Sequence, residues 1–89
     1  MDILMKLSPL EIRILLKCRE KPLQKKYISQ YYARYSASER KKALDMLTNN
    51  ELLTANCFPK IEARKPPTIY EITAKGKKWL SIYEENYPL

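Results

Sequence analysis

The most constraining feature of this 89-residue sequence is a change in the spacing of its apolar residues after Asn50. Before that point they recur every three or four residues, which is the period of amphipathic helices. After it, LLTANCF and TIYEIT are short runs typical of β-strands, and they flank the loop PKIEARKPP. The helical period returns in TAKGKKWLSIYEENY. The predicted order is therefore helix, helix, helix, strand, strand, helix.

A capping box marks the start of the first helix. Ser8 can accept a hydrogen bond from the backbone of Glu11, whose side chain can bond back, and Pro9 suits the first helical turn. The apolar residues that then follow at helical spacing are Leu10, Ile14, Leu15 and Cys18. They predict a helix with one buried face that runs to about Glu20.

The second and third helices are separated by only a few residues. The second is predicted from Leu23 to about Arg34, with its core side formed by Ile28, Tyr32 and Tyr35. The third begins at another capping box, Ser36 with Glu39, and its core residues are Ala43, Leu44 and Leu47. It is expected to end near Asn49–Asn50, because asparagine tolerates the left-handed conformation that often ends a helix.

The closing helix carries a wide aromatic stripe. Thr73 is expected to cap it. The stripe consists of Gly76, Trp79, Leu80, Tyr83 and Tyr87. A small domain can hardly bury so broad a stripe within its own core. Three interpretations therefore remain open: the stripe is core, a partner surface, or both. Gly76 allows the backbone of another segment to approach closely, and its alternative role is simple packing beneath the start of the helix.

Length and charge limit the classes of protein that fit. A chain of 89 residues has room for one hydrophobic core, so we expect a single domain over residues 1–89. Seventeen Lys and Arg against ten Asp and Glu give a net charge of +7, which favours nucleic acid first and anionic membrane second. The apolar runs are too short to span a bilayer, and no basic amphipathic helix has a bulky apolar face left free. With no basic leader sequence either, we expect no membrane partner and a cytoplasmic location.

The sequence offers little for catalysis or for metal binding. It contains no histidine and a single glycine, so Ser-His or Cys-His pairs and a glycine-rich phosphate loop are excluded. Cys18 and Cys57 are far apart and have no histidine to join them, which argues against zinc and for reduced, passive thiols in or near the core. We therefore expect neither an enzyme nor a cofactor, and no small-molecule ligand is evident.

Two segments, KKYISQYYARYSASERKKALDMLTNNELL and YEITAKGKKWL, resemble winged helix-turn-helix regulators in the broad style of the PadR and MarR families. The first segment resembles the family's second helix, turn, recognition helix and the start of the strand that follows. The second segment is similar to the strand-to-helix motif that often follows the wing. The resemblance covers most of the chain and implies an α+β winged helix, mainly α with a small β-hairpin. Ala33 and Glu51 stand where glycine is common. Arg40 stands where an aliphatic residue is often buried, so it either snorkels at the core edge or the alignment is shifted by one.

The resemblance implies that the third helix lies in the major groove of duplex DNA and that the helix before it crosses the backbone. Residues 23–50 carry six Lys and Arg against two acidic residues. A lone charge run is more often a solvated helix face, but its position after a short turn favours groove contact. We expect the first contacts from Ser38, Lys41 and Lys42. The full predicted set on these two helices is Lys25, Lys26, Ser36, Ser38, Glu39, Arg40, Lys41 and Lys42.

The loop between the strands is expected to act as the wing. Its basic residues Lys60, Arg64 and Lys65 can reach phosphates or a minor groove, although a solubilising hairpin tip is the alternative. Related regulators often dimerise through terminal helices, which implies a homodimer through the first or last helix. The interface residues expected on the last helix are Trp79, Leu80, Tyr83 and Tyr87.

Two alternative functions remain. Tyr27, Tyr31, Tyr32 and Tyr35 suggest a base-stacking platform for single strands, but tyrosines at helical spacing are more often packed, and Tyr32 and Tyr35 are predicted to be core. Winged helices also serve as protein-interaction adaptors, in which case the positive charge faces an acidic protein or aids solubility. The main prediction is sequence-specific binding of double-stranded DNA by a transcription regulator, and the adaptor is its alternative.

Overall fold

The computed structural model describes residues 6–57 and 68–86, in which four helices surround a three-stranded antiparallel sheet. In chain order the elements are α1 (Pro9–Glu20), β1 (Leu23–Gln24), α2 (Lys25–Tyr31), α3 (Ala37–Asn49), β2 (Leu53–Cys57), β3 (Thr68–Ile72) and α4 (Ala74–Asn86). The predicted fold class, mainly α with a β-hairpin, is confirmed. No helix in the described ranges has the length and apolar character needed to cross a membrane.

Both predicted capping boxes are present. The Ser8 hydroxyl accepts a hydrogen bond from the Glu11 amide, and the Ser8 amide donates to the Glu11 carboxylate at 2.7 Å. In the second box, the Glu39 amide donates to the Ser36 hydroxyl at 3.1 Å and the Ser36 amide donates to the Glu39 carboxylate at 3.2 Å. Because these bonds satisfy amides that the helix itself leaves unpaired, they fix where each helix begins. The start of α3 is therefore held directly after the turn that follows α2.

The sheet contains one strand that the sequence did not predict. Its order is β1-β3-β2, and the predicted hairpin strands β2 and β3 are confirmed. Leu23 and Gln24 were expected to open the second helix, but they pair with Tyr70 and Ile69 of β3 instead. Strand pairing with a residue far along the chain leaves no local signature in two residues, which is why helical spacing misplaced them. The second helix also ends at Tyr31 and not at Arg34, because a turn follows it.

The core draws residues from every helix and from all three strands. The completely or almost completely buried side chains are Ile14, Leu15, Ile28, Leu47, Leu52, Leu53 and Leu80. The Tyr32 hydroxyl donates to the Arg13 carbonyl at 3.0 Å and so joins the end of α2 to α1, while burial raises the pKa of this phenol to about 12. Cys18 is a core residue as predicted, and burial raises its thiol pKa to about 12, which keeps it protonated and unreactive at neutral pH.

The left-handed residue at the end of α3 is Glu51, with φ of 62°. The predicted end of the helix near Asn49–Asn50 is confirmed, because α3 ends at Asn49. The left-handed conformation expected of asparagine is not there, since Asn50 has a φ of −96°. The reason is that the left-handed position is the one after the C-cap, and Asn50 is the C-cap itself. A side chain with a Cβ adopts this conformation at a cost of roughly 1 kcal/mol, which explains why glycine is common here in the proteins that the sequence resembles.

The start of α4 is attached to the backbone that follows α3. Thr73 caps the helix as predicted, since its hydroxyl accepts from the Gly76 amide at 2.9 Å. The same hydroxyl donates to the Glu51 carbonyl at 2.6 Å, and the Thr73 amide donates to the Leu52 carbonyl at 3.1 Å. A Cβ placed on Gly76 would lie 2.3 Å from that Leu52 oxygen and 2.8 Å from Cγ1 of Ile72. The close approach proposed for Gly76 is therefore made to the chain's own backbone.

Candidate nucleic-acid interface

The N-terminal half of α3 presents one face to solvent. Ala43, Leu44 and Leu47 are buried in the core. Because an α-helix turns once every 3.6 residues, the opposite side contains Ser38, Lys41, Lys42 and Asp45, all of which are exposed. We call these four residues the α3 face. The structure thus brings together the three side chains from which the first DNA contacts were expected.

Asp45 is a residue of this face that the sequence analysis treated only as a negative charge. Its Oδ2 lies 3.2 Å from Nζ of Lys41, and the two side chains are 56% and 77% exposed. An ion pair this exposed contributes at most about 0.5 kcal/mol, so the lysine can leave it for another anion at little cost. A carboxylate here repels phosphates and can accept a hydrogen bond from cytosine. The four-residue spacing from Lys41 was the signal that could have identified it.

Arg40 lies at the edge of the core and stabilises the turn before α3. Its Nη1 donates to the Tyr32 carbonyl at 3.2 Å and also to the Tyr35 carbonyl. Both carbonyls belong to the connection between α2 and α3, so the guanidinium fixes that connection against the helix. Arg40 is therefore half-buried at this position, with its guanidinium bonded to backbone carbonyls. Its contact with DNA stays a prediction.

The other predicted residues of the two helices are exposed or partly exposed. Ser36 and Glu39 direct their side-chain oxygens at backbone amides in the capping box. Lys25 and Lys26 are the first two residues of α2, and Nζ of Lys26 lies 5.1 Å from the ring centroid of Tyr27. The basic residues of α2 and the α3 face therefore lie on consecutive helices joined by the turn that Arg40 holds.

Some predicted residues lie outside the described part of the chain. They are the wing residues Lys60, Arg64 and Lys65, and Tyr87 of the aromatic stripe. Within that described part, residues 6–57 and 68–86, no group of three or more His, Cys, Asp and Glu side chains is placed to hold a metal ion.

The predicted interface on α4 belongs largely to the chain's own core. Leu80 is completely buried and Trp79 is 7% exposed, which leaves them little area for a partner. Tyr83 is half-buried and stacks on Trp79, with ring centroids 5.2 Å apart. Of the interpretations left open for the stripe, core is confirmed for these residues, and dimerisation through α4 stays a prediction.

Several solved structures share this arrangement of elements. A PadR family transcription regulator from Clostridium difficile has a TM-score of 0.75 at 17% identity, over 90% of this chain and 88% of that one. The adhesin competence repressor AdcR from Streptococcus pyogenes has a TM-score of 0.72 at 21% identity, over 92% of this chain. The transcriptional regulator BldR from Sulfolobus solfataricus has a TM-score of 0.71 at 30% identity, also over 92%. This chain has the winged helix-turn-helix fold.

This chain spans 58% of the length of AdcR and 56% of the length of BldR. No protein-family model and no curated protein sequence matches it. Within this fold, α2 and α3 form the helix-turn-helix pair. β2 and β3 are paired strands, and residues 58–67 between them lie outside the described part of the chain. The α3 face therefore lies on the second helix of the pair, where the sequence had placed the recognition residues.

Proposed function

We propose that residues 1–89 form one winged-helix domain that binds double-stranded DNA as a transcription regulator, with the N-terminal half of α3 in the major groove. The observation that carries this proposal is the α3 face, which offers two lysines and a serine on the solvent side of the helix directly after the turn. Lysine can bond guanine O6 and N7 or phosphates, and serine can bond either. The solved structures of the same fold named above are described as transcription regulators or a repressor.

The remaining contacts follow from the same docking. The helix before the recognition helix crosses the DNA backbone in helix-turn-helix proteins, which gives Lys25 and Lys26 phosphates to bind. The wing residues Lys60, Arg64 and Lys65 bind the phosphate backbone or the minor groove of the DNA. Ser36, Glu39 and Arg40 hold the turn and the helix start from which these contacts are made, at the edge of the same interface.

The direct test is a binding titration against random duplex DNA at several salt concentrations. A protein that neutralises phosphates releases counterions, so we expect log K to fall steeply and linearly with log salt. A double variant, Arg64→Ala with Lys65→Ala, should reduce the magnitude of that slope by about 0.9 for each phosphate that is no longer neutralised, and it should weaken all duplexes about equally. A wild-type affinity that barely depends on salt would instead indicate the protein-interaction adaptor.

We also propose a homodimer through the surface shared by α1 and α4. Arg19 Nη1 and Glu84 Oε1 are 2.5 Å apart, so the two helices considered for dimerisation lie side by side and form one surface. Tyr83, the residue before Glu84, is only half-buried by the chain's own core. We expect sedimentation to show a dimer at tens of micromolar, bound to two half-sites about one helical turn apart. A monomer both on and off DNA would reject the dimer.

A further inference from the structure

Two of the four tyrosines in and after α2 are exposed to solvent. Tyr32 is 8% exposed, and Tyr35 is half-buried against the core. Tyr27 and Tyr31, by contrast, are 39% and 52% exposed. They are four residues apart on α2, so their side chains are neighbours on one helix face. Two aromatic rings are thus presented to solvent on a helix whose other tyrosine neighbours are used by the core.

Both exposed rings border a cleft of about 400 Å³ beside the edge of the sheet. The apolar part of its lining comes from Pro22, Leu23 and Ile69, and Lys21 contributes a charged side chain. This volume is within the range of small-molecule sites, which is about 300–1,000 Å³. The cleft therefore has aromatic and apolar walls of a size that admits a planar base. We call it the tyrosine cleft.

The surroundings of the tyrosine cleft are strongly basic. Nζ of Lys17 lies 4.9 Å from the ring centroid of Tyr31, and Nζ of Lys26 lies 5.1 Å from that of Tyr27. Lys21 lines the cleft itself, so three lysine side chains lie at the cleft or over its rings. This positive charge complements a polyanion. An acidic protein helix would leave the rings without a matching partner, and an apolar one would leave the ammonium groups without one.

We propose that the tyrosine cleft binds a single strand of nucleic acid, at a site separate from the α3 face. Bases stack on the rings of Tyr27 and Tyr31, while Lys17 and Lys21 bind the phosphates on either side. A duplex hides the faces of its bases in its own stack, so only unpaired bases can use these rings. This surface is additional to the duplex function proposed above and does not depend on it.

The test uses a fluorescently labelled oligothymidylate of about 12 nucleotides, a length within the site sizes of single-strand binders, and a random duplex. Each is titrated with the full chain by fluorescence anisotropy. Tyr27→Leu with Tyr31→Leu keeps the apolar bulk but removes both aromatic rings. We expect this variant to bind the oligothymidylate at least about tenfold more weakly and to keep its duplex affinity within about twofold. The matched control is Lys41→Ala with Lys42→Ala on the α3 face, which should show the opposite pattern.

A second variant guards against a folding defect in the tyrosine double variant. Lys17→Ala with Lys21→Ala leaves both rings in place and should lower the magnitude of the salt slope for the oligothymidylate by about 0.7 for each phosphate that is no longer bound. The proposal is overturned if the wild type does not bind the oligothymidylate. It is also overturned if a tyrosine variant that is folded by circular dichroism keeps its affinity for the oligothymidylate or loses affinity for both ligands equally, or if free thymidine monophosphate competes as well as the strand. A wild type that binds the strand but not the duplex would contradict only the proposed regulator function.

Discussion

Replacing Lys41 and Lys42 with alanine is expected to lower the affinity for duplex DNA about 100-fold without unfolding the protein. Each lysine lies on the α3 face, and removing a phosphate or base interaction of about 1.4 kcal/mol corresponds to a factor of ten. The effect on stability should be small, because both side chains are exposed and the ion pair between Lys41 and Asp45 is itself exposed to solvent.

The measurement is duplex affinity by fluorescence anisotropy, with circular dichroism of the variant as the check on folding. The matched control is Lys75→Ala with Lys77→Ala, which removes the same net charge from exposed positions on α4. These flank Gly76, which lies against Leu52, past the C-terminal end of α3 and away from its basic half. We expect the control to weaken binding only slightly, through the general electrostatic field. Equally weakened binding in the two variants would mean that charge alone, and not the α3 face, governs affinity.

Replacing Gly76 with alanine is expected to destabilise the protein by about 2 kcal/mol or more. The added Cβ would lie 2.3 Å from the Leu52 carbonyl oxygen, a backbone atom that already accepts the Thr73 amide. The oxygen has no free rotation by which to move aside, so α4 must shift and its packing against the core must change. Overpacking costs about 1–3 kcal/mol and occasionally more, and a contact of 2.3 Å with a backbone oxygen belongs at the upper end or above. About 2 kcal/mol or more of destabilisation therefore remains after the gain of about 1 kcal/mol that alanine brings to a helix interior.

Thermal unfolding followed by circular dichroism measures this effect. In a domain of this size, about 2 kcal/mol corresponds to a lower melting temperature by about 8–16 °C. The matched control is Lys75→Ala, an alanine substitution at the exposed neighbouring position, which should change stability by less than about 0.5 kcal/mol. A melting temperature for Gly76→Ala equal to or above that of the wild type would show that α4 does not lie against Leu52 as described.

The sequence by itself determined the number and order of the helices and the pairing of two strands after the third of them. Ser8 with Glu11 and Ser36 with Glu39 fixed the starts of α1 and α3 because capping bonds join residues only three positions apart. The switch from helical spacing to short apolar runs located β2 and β3 at their observed residues, and Thr73 was identified as the cap of α4. These features depend on near neighbours, so the chain order alone contains them.

Only the tertiary structure decided the features that depend on distant residues. Leu23 and Gln24 became a strand because they pair with the edge of β3 that β2 leaves open, and Arg40 bonds carbonyls whose positions follow from how α2 meets α3. Of the four tyrosines at similar local spacing, Tyr27 and Tyr31 lie on α2 and are exposed. Tyr32 and Tyr35 follow the helix and pack against the core, Tyr32 with a hydrogen bond to α1. Burial is a property of what packs against a side chain, and helical spacing cannot reveal which of several candidate faces the rest of the chain will cover.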